Sequence, residues 1–113
     1  MTNDIASLVK QYRQGALGTA DVSNPQEANE AQAQMHACYK VLRETEAGRE
    51  AIITLMGDVE PSVRCWAAAH SLQWRPDCAR DILKTLRDSS GPYSITAEMT
   101  LEEFDAGRLS FDY

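Results

Sequence analysis

Residues 58–72 read DVEPSVRCWAAAHSL, and what this stretch becomes decides the architecture. Proline is well placed at the first position of a helix, where the amide it lacks has no intrahelical partner. Pro61 therefore marks a start, with Asp58 and Glu60 suiting the positive end of the helix dipole. At about 100° per residue, Val63, Trp66, Ala67, His70 and Trp74 gather on one side of the helix. Cys65, Ala68, Ala69 and Leu72 gather on the other. Only two narrow polar strips remain, Arg64 with Ser71 and Ser62 with Gln73. A helix apolar on both sides packs between neighbours. The stretch reads as a turn and a buried helix.

The same punctuation continues in both directions. Ile5, Leu8, Val9, Tyr12 and Ala16 recur at helical spacing, in a first helix expected to fade near GALG. After the TADVSN connection, Asn24 can cap a second helix with Pro25 at its first position and Glu27 at its third, as in a capping box. Ala28, Ala31, Met35, Cys38 and Leu42 then form a core-facing stripe. TEAGRE is expected to break it, and Ala51, Ile52 and Leu55 mark a short third helix stopped by Gly57. Beyond the opening stretch, Pro76 starts a fifth helix carrying Ala79, Ile82, Leu83 and Leu86. DSSGP closes it and starts a sixth, with Ile95, Ala97, Leu101 and Phe104, and the tail at Leu109, Phe111 and Tyr113 is expected to fold back. Nothing alternates in the manner of a strand. The expectation is one all-α domain over 1–113, with capping helices in 1–46, a first repeat in 47–74 and a second repeat plus tail in 75–113.

Composition narrows the function classes. The chain of 113 residues has a formal net charge of −6. That works against nucleic-acid binding, which depends on neutralising phosphates. No apolar run is long enough for a membrane span or a signal peptide, so the whole chain is expected in the cytoplasm. Cys38, Cys65 and Cys78 are an odd, widely spaced set without a CxxC, which suits buried free thiols.

The chemistry of common active sites is missing. GALG and AGRE lack the spacing and lysine of a phosphate loop. His70 and Ser71 point about a quarter-turn apart on a helix, which is poor geometry for a nucleophile and its base. With only His36 and His70 and no HExxH, no metal site is expected, and no cofactor. The chain reads as a non-enzyme. Arg64 is expected to hold the turn by pairing with Asp58, His70 to be a hydrogen-bonded core histidine, and Trp66 to pack with an edge free for binding. A groove near Trp66 and His70, serving a small molecule or a reaction, is the alternative.

Ile52, Leu55 and Pro61 recur at one common offset as Leu83, Leu86 and Pro92. Past the proline the offset shortens by two, matching Ala68 and Leu72 to Ala97 and Leu101. A short apolar helix, a polar turn ending in proline and a small-residue helix are thus written twice, as in an α-solenoid. The first copy resembles a HEAT repeat through Leu55, Asp58, Pro61, Val63, Arg64, Ala67, Ala68 and Leu72. Its period of roughly thirty residues is shorter than the ~40–47 of HEAT and armadillo repeats.

VRCWAAAHSL together with AEMTLEEFDAGRL extends the resemblance to a family of small bacterial HEAT-like proteins of unknown function. Phe104 stands where a tryptophan would be more familiar. The resemblance implies an α-α superhelix with a helical N-terminal cap and carries over no catalytic residue. Some members look like immunity proteins encoded beside toxins. That implies a protein partner, a basic toxin being the concrete case. The charges suit this: Glu98, Glu102 and Asp105 share one face of the last helix and could meet a basic surface. Trp66, His70, Glu98, Glu102 and Asp105 are the candidate partner-binding residues, and Asp58 and Arg64 the structural pair.

Overall fold

A computed structural model describes residues 4–20 and 23–113. Asp21 and Val22, in the TADVSN connection, lie outside the described residues. Six α-helices and no strand occur among the described residues. The helices group into two compact units, Met1–Leu55 and Met56–Tyr113.

The N-terminal unit holds α1 (Ile5–Gly18), α2 (Pro25–Leu42) and α3 (Glu46–Thr54). Asn24 caps α2 by accepting the Glu27 amide on Oδ1 at 3.1 Å, with Pro25 next. α1 ends at Gly18, within GALG as expected, and the glycines there also serve packing. A Cβ at Gly15 would stand 2.7 Å from the Ala31 carbonyl oxygen, so the glycines let α2 lie directly on α1. Leu8, Tyr12 and Ala16 close this core from α1, and Met35, Cys38, Tyr39 and Leu42 from α2.

α2 and α3 are separated as expected, but the break falls at 43–45 and most of TEAGRE lies inside α3. Thr45 Oγ1 accepts the Gly48 amide at 3.0 Å, and Gly48 sits buried within the helix. A side chain there would collide with the backbone of Leu42, which is why a glycine occupies the site. Helical geometry ends at Thr54, and Leu55–Gly57 form a single 3-10 turn.

The C-terminal unit holds α4 (Pro61–Ser71), α5 (Pro76–Arg87) and α6 (Ser94–Asp105). Consecutive helices pack on each other, α4 with α5 and α5 with α6. Short connections make such neighbours antiparallel, so α4 and α6 begin at the same end. α4 buries Val63, Cys65, Ala67, Ala68, Ala69 and His70. Its polar strips are only partly surface: Ser62 and Ser71 are buried, while Arg64 is half-buried and Gln73 exposed.

Three of the five pairs matched in the two repeat copies agree in burial, while Leu55 is less buried than Leu86 and Pro61 less exposed than Pro92. Ile52 and Leu83 are fully enclosed, as are Ala68 and Ala97, and Leu72 and Leu101 are buried. Pro61 opens α4, but Pro92 does not open α6, which begins at Ser94 behind Tyr93. Ser90 takes a left-handed conformation (φ 60°) in the turn that leaves α5, and the chain needs the residues after it to reach the new helix. No helix among the described residues is long and apolar enough to cross a membrane.

Candidate functional site

Arg64 braces the turn that precedes α4. Its Nη1 donates to the carbonyl oxygens of Asp58 (2.9 Å) and Val59 (3.1 Å) rather than to the Asp58 carboxylate. That carboxylate accepts the Glu60 amide at 2.9 Å. The turn is thereby fixed from both sides, and its apolar member, Val59, points into water.

His70 lies in the interior of α4 with none of its surface exposed. The Trp66 ring stands 5.9 Å away on the same helix. Phe111 meets the imidazole edge-on at 4.5 Å, so the C-terminal tail folds back onto α4. Enclosed on these sides, His70 offers no surface to a partner. Trp66 is half-exposed and does.

The tail leaves α6 through Gly107, which sits at φ 74°, a conformation glycine adopts without strain. The Arg108 and Leu109 amides both return to the Glu103 carbonyl. Arg108 adds bonds to both Glu103 carboxylate oxygens, the shorter at 2.7 Å, and these hold that carboxyl below its ordinary pKa. Under the tail lies a cleft of about 110 Å³ between Ala69, Leu72, Phe104, Leu109 and Phe111. Neither Trp66 nor His70 lines it. Pockets for drug-sized ligands run to about 300–1,000 Å³, so this cleft is small.

The outer face of α6 is exposed and takes no part in the packing of α4 and α5 described above. Glu98, Glu102 and Asp105 are all exposed, but they are not equivalent. Asp105 accepts a hydrogen bond from Arg80 of α5 at 2.8 Å, and that guanidinium also lies over the Phe104 ring, 5.3 Å from its centre. Asp105 is therefore part of the α5–α6 contact, while Glu98 and Glu102 face solvent. Beside them stand Ile95, 68% exposed, and Met99, 58% exposed.

Ile95 belongs to this surface and not to the core in which its hydrophobicity would place it. The sequence did contain the signal. Ile95 and Met99 are one turn apart and lie opposite Ala97 and Leu101 at about 100° per residue. Only one of these pairs can face α5, and the glutamates flanking Ile95 and Met99 mark theirs as the outer one.

The thiols divide two to one. Cys38 and Cys65 are buried, and burial pushes the Cys65 thiol up to about 11. Cys78, expected to be buried with them, is exposed near the start of α5. No group of three His, Cys, Asp or Glu side chains able to hold a metal ion occurs among the described residues.

No protein-family profile, curated protein or solved structure matches this chain.

Proposed function

We propose that this chain is a non-catalytic, cytoplasmic helical-repeat domain that binds a basic protein partner through the outer face of α6. One observation carries the reading. Ile95 and Met99 stand in water one helical turn apart, with Glu98 and Glu102 beside them on the same face. Large apolar side chains clustered in the open and rimmed by charge are typical of interaction sites. The net charge of −6 would draw in a basic partner and speed its association. Trp66, half-exposed on α4, is a further contact of the type enriched at binding hot spots.

The equivalent burial of Ile52 with Leu83, Ala68 with Ala97 and Leu72 with Leu101 supports a HEAT-like repeat as the scaffold. The resemblance to small bacterial HEAT-like proteins sharpens the reading to an immunity protein that covers and blocks a toxin. The test is co-production of this chain with the protein encoded beside its gene. The chain should relieve that protein's toxicity, and their association should slow steeply with added salt. Glu98→Lys with Glu102→Lys should slow it further at low salt. Association indifferent to both salt and charge reversal would sink the electrostatic reading, and no association would sink the pairing itself.

A further inference from the structure

α4 and α6 correspond residue by residue, because the offset that matches Ala68 and Leu72 to Ala97 and Leu101 runs on through both helices. Trp66 and His70 then correspond to Ile95 and Met99, and Ala69 and Gln73 to Glu98 and Glu102. A helix fixes the directions of such neighbours, so each set stands on the same side relative to its buried Ala and Leu. The two sides have opposite fates. His70 is fully enclosed and Trp66 half-buried, whereas Ile95 is 68% and Met99 58% exposed.

The α4 side is met by a segment of its own chain. Residues 108–113 form no helix, and Phe111 stands edge-on to His70 with ring centres 4.5 Å apart. Leu109, Ser110, Phe111 and Asp112 line the cleft under the tail together with Ala69, Leu72 and Gln73 of α4. The margin of α4 along this path is neutral. On α6 the corresponding path runs over Glu98, Leu101 and Glu102. The seat for the ring becomes Met99, and a thioether makes favourable contacts with aromatic rings. The neutral margin becomes an acidic one. A segment laid on α6 as the tail is laid on α4 keeps the ring and needs cations beside it.

We infer that the outer face of α6 takes a non-helical segment of a partner protein, an aromatic residue flanked by lysine or arginine, laid over Met99 as Phe111 is laid over His70. This rests on the binding role proposed above for α6 and adds the shape and chemistry of what binds there. The chain's own tail is not that segment, because it is engaged on α4. A second copy's tail would bring Asp112 against Glu98 and Glu102, which like charge opposes.

The test is an NMR titration of the full ¹⁵N-labelled chain with four synthetic peptides. KLSFKYK carries the rings of the tail between lysines, ELSFEYE the same rings between glutamates, and KLSSKSK the lysines without rings. The fourth is a helical Lys/Leu amphipathic peptide. KLSFKYK should shift the amides at 94–102, and the two altered versions should bind about fivefold or more weakly. Ile95→Ser and Met99→Ser should each weaken KLSFKYK by a similar factor, the effect of losing a hot-spot contact. Both serines replace exposed side chains, so the fold should be unaffected. ELSFEYE or KLSSKSK binding as well as KLSFKYK would overturn the basic flanks or the ring, respectively. Tighter binding of the helical peptide to the same amides would overturn the non-helical segment and leave the α6 reading standing. Shifts at 66–73 and 108–113 instead would put the peptide in the tail's place on α4 and overturn the inference. No shift at 94–102 with any of the four would overturn both readings. Shifts at 94–102 and 108–113 that appear together on concentration without peptide would identify a second copy as the occupant and overturn the basic partner.

Discussion

The two units begin their helices by different means. In the N-terminal unit every helix has a side-chain cap: Asp4 to Ser7 at 2.7 Å, Asn24 to Glu27 at 3.1 Å and Thr45 to Gly48 at 3.0 Å. In the C-terminal unit Glu60, Arg75 and Tyr93 occupy the same position and make no such bond. Pro61 and Pro76 open α4 and α5 instead, and α6 has neither device. A cap is a local interaction written in a few consecutive residues. Where caps are missing, a helix depends more on what it buries. The N-terminal unit is thus specified locally, and the C-terminal unit by the packing of Val63, Ala68, Leu72, Leu83 and Leu101.

The sharpest way to break this contrast is to empty the C-terminal core. Leu72→Ala or Leu83→Ala removes a side chain at most 2% exposed. Each should cost about 2–5 kcal/mol in urea denaturation, by lost transfer energy plus the cavity left behind. A cost below 1 kcal/mol would mean that packing does not carry this unit.

Gly48→Ala sets local propensity against close approach. Alanine gains about 1 kcal/mol over glycine inside a helix. Here its Cβ would meet the backbone of Leu42, which cannot swing aside as a flexible side chain can. The expected result is a net loss of about 1–3 kcal/mol, as in overpacked cores. A stabilised variant would show that α2 and α3 are less tightly joined than described.

The caps give a smaller effect. Thr45→Ala should cost about 1 kcal/mol, the usual worth of a threonine cap. Glu60→Ala, at the matching position of α4, should stay within about 0.5 kcal/mol, because no cap bond is lost. Equal costs at the two sites would erase the distinction between the units.

The thiols report on the same packing with little effect on stability. Iodoacetamide at pH 8 followed by mass spectrometry should label Cys78 quickly, and Cys38 and Cys65 only slowly. Burial raises the Cys65 thiol from an ordinary 9.0 to about 11, so the folded state holds that proton more tightly than the unfolded chain does. Its contribution to stability is present below pH 9 and is lost as the pH rises towards 11. Fast labelling of Cys65 at pH 8 would show that α4 opens readily.

Much of this was legible in the sequence, and the exceptions share a cause. Asn24–Pro25 and Pro61 are short-range signals, and the helices start where they stand. Gly15 and Gly18 marked the end of α1 as read, but Gly48 was misleading, since glycine breaks helices by its own propensity and here sits inside α3 against the Leu42 backbone. Arg64 sits at the turn as its position suggests, although carbonyls take the bond expected of a carboxylate. At the candidate site, Glu98 and Glu102 were readable as surface from charge alone. Asp105 was readable as surface too, but its engagement by Arg80 required knowing that α5 and α6 are neighbours. Ile95 looked like core because hydrophobicity records what a side chain is and not which way its helix faces. Met99 and Val59 escaped notice for the same reason.

The account turns on the outer face of α6 contributing nothing to the fold. Urea unfolding of the Ile95→Ser/Met99→Ser double variant tests this directly. With side chains 68% and 58% exposed, its unfolding free energy should lie within about 0.5 kcal/mol of the parent. A loss of about 2 kcal/mol or more would mean that this face is packed, and that the surface assigned to a partner belongs to the protein's own core.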